Sequence, residues 1–292
     1  MDAKRKEYPI CPLSLLVSAT WKEILKGERI VSSDSASQLV FERLVKSSER
    51  VRDLGEVFTP SSTINEMLDL LPKKIWNAHP STTFLEPACG DGNFLVAILD
   101  RKLEILANEL EAQFLPSGIE IESVQFYALE AIASIYAVDI SVENVIGGVP
   151  GHEIGARARL LNLFSEWHEL ELGVVLTPRS AVFKAAKWIV DHNLIVGNML
   201  ATDLNGKPTG RDDIPLIEYV FNPTDQSVTL FKTTMGAVIS IEEAKTGDLL
   251  SLFPAEEPKK FWTGKALSMG VAEIVEAPSL LGPARNGTGR RS

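Results

Sequence analysis

Residues 84–95 read Phe-Leu-Glu-Pro-Ala-Cys-Gly-Asp-Gly-Asn-Phe-Leu: an apolar run, a turn of small residues with two glycines, then the first turn of a helix. Few segments restrict a fold so tightly. Gly90 and Gly92 bare the backbone where a ligand must come close, and the unpaired amides of a new helix favour negative charge. Strand, glycine turn and helix in that order make an α/β unit with a nucleotide-type pocket at the strand's carboxyl end. A dinucleotide fingerprint needs Gly-x-Gly-x-x-Gly; position 95 is Leu, so a dinucleotide is disfavoured.

Upstream, Gly55-Glu56-Val57-Phe58-Thr59-Pro60 opens an amphipathic run, Thr63 to Leu71, with Ile64, Met67, Leu68 and Leu71 on one helical face. Taken singly, Gly-Asp-Gly is a tight turn and Phe-Thr-Pro a helix start with Thr59 as cap. Taken together, in this order and about 30 residues apart, they resemble the two cofactor signatures of the N6-adenine DNA methyltransferases of restriction-modification type. That resemblance spans roughly residues 50–200. It implies a Rossmann-like methyltransferase fold, α/β with a doubly wound, mostly parallel sheet, and S-adenosylmethionine as cofactor. It further implies that Phe58, Thr59 and Pro60 cover the methionine end of the cofactor, while Glu86, Pro87, Ala88, Gly90, Gly92 and Asn93 line the turn beneath it.

Two further strands are expected. Ile135 to Ile140 ends near Asp139, an acid at the carboxyl edge where ligands collect in doubly wound sheets. The resemblance makes Asp139 the acceptor of both ribose hydroxyls; the plain alternative is an acid capping the next helix. Asp139 lies much further from Glu86 than the about 20 residues of a simple strand–helix–strand unit, so an insertion is implied. Leu115 to Tyr127, turn-rich at Pro116-Ser117-Gly118, supplies it, with an extra helical turn over Ala128 to Ile135. The third strand, Asn193 to Met199, follows an amphipathic helix, Ala181 to Asp191. Asn198 stands where the resembling family places an acid on the cofactor's adenine amino group; a simple turn residue is the alternative. The run Leu95, Leu99, Leu103, Leu106, Leu110 predicts one long helix on the sheet, with Asp100, Arg101 and Glu104 on its solvated face.

The remaining chain sets bounds. Leu13 to Arg52 has helical periodicity, giving an N-terminal helical extension (1–52), a methyltransferase-like domain (53–240) and a C-terminal extension (241–292) with a mobile polar end, Gly287 to Ser292. A net charge of -10 argues against a surface that grips nucleic acid throughout, so any DNA contact is local or shared with a protein partner. Cys11 and Cys89 show neither disulfide-scaffold nor zinc spacing; no metal is expected, and a reducing cytoplasm fits. Lys4-Arg5-Lys6 precedes a short apolar run broken by Pro9 and Pro12, unlike a signal peptide, and no apolar stretch is long enough to span a membrane.

Methyl transfer to the adenine amino group requires acceptors for both its protons, because its lone pair is drawn into the ring. In the resembling family Asn/Asp-Pro-Pro-Tyr/Phe provides them, the aromatic stacking on a flipped base. This chain has no Pro-Pro dipeptide. The nearest spelling is Phe221-Asn222-Pro223-Thr224, which makes Asn222 the sole candidate catalytic residue, beside its reading as a turn. Leu216 to Phe221 and Val228 to Thr233 alternate as antiparallel strands joined by Asn222 to Gln226. Phe261-Trp262 reads as core packing, with base stacking as the alternative. Three functions stay open: an adenine methyltransferase that uses a divergent set or a partner's loop, a catalytically inactive S-adenosylmethionine-binding regulatory protein, and a methyltransferase for another acceptor.

Overall fold

A strand begins where the sequence turns apolar at Phe84, and two more pair with it in parallel. The computed structural model describes residues 59–76, 79, 81–112, 120–150, 152–199, 214–237 and 258–270. The expected helical extension, Phe58 and the polar tail lie outside these residues. Strands β1 (Phe84–Glu86), β2 (Ile135–Asp139) and β5 (Leu194–Val196) form a sheet in the order β1-β2-β5, with Phe84 opposite Ile135 and Ala137 opposite Leu194. Between β2 and β5 lies a short antiparallel pair, β3 (Gly147–Val149) and β4 (His152–Ile154).

Helix α1 (Ser61–Asp69) starts from an extended Pro60, whose carbonyl accepts from Ile64 N at 3.0 Å. Pro60, not Thr59, is the N-cap, and no side chain caps the helix. Only Ile64 and Leu68 of the expected apolar face are buried; Met67 stays 49% exposed, and Leu71 lies beyond the helix. Helix α2 (Asn93–Ala112) lays Leu95, Leu99, Leu103 and Leu106 into the core as the periodicity predicts. Asp100 and Glu104 are exposed. Arg101 is not a free surface charge: it pairs with Asp69 at 2.8 Å and lies over the Trp76 ring, tying α1 to α2.

The turn residues Pro116-Ser117-Gly118 of the expected insertion lie outside the described residues; the part that is described is helix. α3 (Ile121–Ala133) is buried almost all round, with Val124, Phe126, Ala128, Leu129, Ile132 and Ala133 in the core. Without a polar face it has little amphipathic signature, so the turn residues before it dominated the sequence reading. After β2 come α4 (Val142–Val145), the β3–β4 pair, α5 (Ala156–Leu172) and α6 (Ala181–Asn193). α5 stops at Gly173, whose left-handed φ of 64° returns the amides of 173 and 174 to helix carbonyls. Arg157 fixes α5 to the α6–β5 junction through the Leu194 carbonyl at 3.0 Å and the Asp191 carbonyl at 2.8 Å.

The hairpin expected after the third strand is present as β6 (Pro215–Asn222) and β7 (Ser227–Thr234), extended by β8 (Lys259–Lys265) into a separate antiparallel sheet. Ile214, Leu216 and Met235 pack on Val138 and Ile195, while Ile217, Val228 and Leu230 join the helices' core. Tyr136 donates its hydroxyl to the Ile217 carbonyl at 2.6 Å, and Tyr219 to Asn193 Oδ1 at 2.9 Å. Phe261 and Trp262 pack against this core, in keeping with their packing role. Among the described residues no helix is long and apolar enough to cross a membrane.

Candidate functional site

The carboxyl ends of β1, β2 and β5 share one edge, where most of the predicted site residues meet. Glu86 ends β1, and its carboxylate accepts from Ala88 N at 3.3 Å. Half-burial raises its pKa and the Ala88 amide opposes the rise. Pro87 and Ala88 form the exposed start of the turn. Cys89 is buried beneath it; its amide donates to Val138 O at 3.1 Å. Burial, and then the charges of Asp139 and Glu86, push the Cys89 thiol far up, so it is a packing residue and no nucleophile.

Gly90 and Gly92 adopt φ of 55° and 90°, conformations that suit glycine. Gly90 is not bare to solvent in the way the sequence suggests, since its amide donates to Asp139 Oδ2 at 2.8 Å. Asp139, 9% exposed, also accepts at Oδ1 from Ser141 N at 2.8 Å and Asn144 Nδ2 at 3.3 Å. This carboxylate reaches the glycine turn and supports the start of α4, whose cap is Ser141. Oδ2 holds one hydrogen bond and keeps room for another. Ile140, the next residue, is 62% exposed and offers an apolar face beside the acid.

Asn198 lies just past β5, near Asp139: Asp139 pairs with Val196, and Gly197 N donates to the Asp139 carbonyl at 2.9 Å. Thr59 and Pro60 lead into α1, which packs along α2, the helix that the glycine turn opens. Asn222 is not brought to this edge. Ile214 touches Gly197 there, but β6 then runs eight residues away, about 26 Å of strand, to a turn where Asn222 Oδ1 accepts from Thr224 N at 3.1 Å. That turn is anchored by Gln226 to Ser123 of α3 at 2.8 Å. Asn222 is thus a turn residue, and the structure gives it no contact with the glycine edge.

Two residues of the site escaped the sequence reading, both on α5. Ala156 backs the turn so closely that a Cβ on Gly92 would stand 2.9 Å from its own Cβ. Arg159, 9% exposed, donates to the Asp91 carbonyl at 2.8 Å and to Asn93 Oδ1 at 2.8 Å, with the Asp91 carboxylate at 3.3 Å. A signal for it exists: Ala156, Arg159, Leu160, Phe164, Trp167 and His168 share one buried helical face, and an arginine on such a face needs a partner.

At the opposite end of the sheet, Lys102 is 3% exposed, donates to the Thr82 carbonyl at 2.8 Å and lies over the Phe84 ring. Burial pulls its pKa down to about 8 against the pull of Glu130, which itself binds His79 Nδ1 at 2.6 Å. This cluster closes the start of the sheet and is separate from the glycine edge. Among the described residues no group of three His, Cys, Asp or Glu side chains is placed to hold a metal.

Fold and site together define an α/β protein with a parallel three-stranded sheet, whose carboxyl edge carries a glycine turn and a buried acid. Comparisons of the chain with protein-family models, curated proteins and solved structures find no significant match.

Proposed function

We propose that this edge binds S-adenosylmethionine and that the chain is the cofactor-binding part of a DNA methyltransferase acting on the N6 amino group of adenine, on a Rossmann-like scaffold. The observation that carries the reading is the convergence of the glycine turn with Asp139, the amide of Gly90 donating to its Oδ2 at 2.8 Å. The donor and acceptor set suits that ligand. Asp139 Oδ2 retains an acceptor position for a ribose hydroxyl, Asn198 supplies polar atoms for an adenine edge, and exposed Ile140 gives a planar base an apolar contact. Thr59, Pro60, Glu86, Pro87, Ala88 and the 90–93 turn would enclose the methionine end. When bound, the cofactor supplies an electrophilic methyl group; the protein's part is to hold and orient it.

The acceptor half is the open half. Among the described residues the outer edge of β1 pairs with no strand, and Leu85 on that strand is substantially exposed. Adenine recognition is therefore assigned to a protein partner or to parts of the chain outside the described residues. A second reading, a catalytically inactive S-adenosylmethionine-binding regulatory protein, is favoured by one observation: Asn222, the sole catalytic candidate, has its side chain engaged in a hairpin turn.

Quantifying N6-methyladenine by mass spectrometry, in DNA from methylation-deficient cells expressing this chain, tests transfer directly. The control is Asp139→Asn rather than alanine, because removing the carboxylate leaves the part-buried amides of Gly90 and Ser141 without their acceptor, whereas asparagine keeps one. A rise in the wild type that the control lacks supports transfer. Unchanged levels with a folded, cofactor-binding chain support the regulatory reading or the need for a partner that supplies adenine recognition.

A further inference from the structure

The buried cation at the glycine turn comes from α5, a helix that supplies none of the residues proposed to touch the cofactor. Arg159 lies 68 residues along the chain from Asp91, yet its guanidinium takes the Asp91 carbonyl and the Asn93 side chain at once, each at 2.8 Å. An arginine has only donors, so the Asn93 atom it meets must be the oxygen. That fixes the orientation of the amide: with Oδ1 held by Arg159, Asn93 Nδ2 presents two N–H donors on its other side. Asn93 is also the first residue of α2, where the backbone amides likewise lack helical partners. The turn thus offers donors at this point, and Glu86 stands at its opposite end, on β1.

Resting on the cofactor reading, we infer that Arg159 is a positioning residue: it orients Asn93 so that its amide donates to the carboxylate of the ligand's methionine moiety. Burial is what makes the orientation firm. At 9% exposure the guanidinium has little water to trade for these contacts, and the Asp91 carboxylate at 3.3 Å balances its charge. The same α5 helix packs Ala156 against Gly92, giving helix and turn a second point of contact. Lysine in place of Arg159 keeps the charge and loses the fork, and so cannot hold both acceptors in the same geometry.

The test compares two ligands on the full chain: S-adenosylmethionine, and 5′-methylthioadenosine, which has the nucleoside but no amino-acid carboxylate. Equilibrium affinities are measured for the wild type, Arg159→Met, Arg159→Lys and Asn93→Asp, with thermal melts alongside. Asn93→Asp retains an acceptor for Arg159 and removes the donor, so it tests the ligand contact without dismantling the clamp. The expected result is a loss of about tenfold or more for S-adenosylmethionine in Arg159→Met and Asn93→Asp, a smaller loss in Arg159→Lys, and methylthioadenosine affinities within about twofold of wild type. Parallel losses for both ligands, or an unaltered Asn93→Asp, overturn the positioning role while leaving the cofactor reading intact. A folded wild type that binds neither ligand rejects the cofactor reading itself, and this inference with it.

Discussion

His168 sits at 0% exposure on α5, its ring against Phe164 and Trp167, with Nδ1 donating to the Phe164 carbonyl at 2.7 Å. Nε2 has no hydrogen-bond partner, so a proton added there would be a buried, unsolvated charge. Burial accordingly pulls the pKa down to about 4. As pH falls from the ordinary value of 6.5 toward 4, the unfolded chain takes up the proton before the folded one, and stability is lost. Above that window the contribution is fully present; its size is on the order of 3 kcal/mol. Urea midpoints at pH 7 and pH 5 should therefore converge in His168→Leu and diverge in the wild type. His79 works with the opposite sign, because Glu130 raises its pKa, so its contribution is present at low pH and fades as pH rises through the raised value. Neither role was legible in the sequence, since a histidine's partner in a fold is set by packing: Glu130 lies 51 residues from His79.

At the scale of elements, the segments that read correctly are those in which local pattern and burial agree. Ile-Tyr-Ala-Val-Asp is a strand by its β-branched and apolar content, and the acid at its end stands at the carboxyl edge of the sheet. The β6–β7 hairpin matched its alternation because its turn residues and its strands point the same way. α3 was missed because a helix buried nearly all round has lost the polar face that betrays its period. The contribution of α5 to the site was missed for a different reason: Ala156 and Arg159 act on a turn more than 60 residues earlier, a distance no local pattern encodes. The contact between α5 and the turn makes a sharp expectation. Gly92→Ala forces a left-handed φ of 90° on an alanine and sets its Cβ 2.9 Å from Ala156 Cβ, costing about 1–3 kcal/mol in denaturant unfolding. Adding Ala156→Gly relieves the clash but not the strain. The double variant should be less destabilised than the sum of the singles; simple additivity would mean that helix and turn do not bear on each other.

For the molecule as a whole, the parallel sheet gathers the glycine turn and the buried acid Asp139 at one edge. β2 is central, its helix-side face covered by the core and its other face by the β6–β7 sheet, while β1 is paired on one edge only among the described residues. A net charge of -10 argues against a surface that grips nucleic acid throughout, as phosphate contacts need clustered cations. Photo-crosslinking tests where the ligand sits. The purified full chain is irradiated with methyl-labelled S-adenosylmethionine, digested, and the labelled peptides are identified by mass spectrometry. Saturable label in the peptides carrying Glu86–Asn93 and Asp139–Asn144, displaced by unlabelled S-adenosylhomocysteine, is the predicted result; absence of saturable label on a folded chain, or label confined to the β6–β8 sheet, would contradict it.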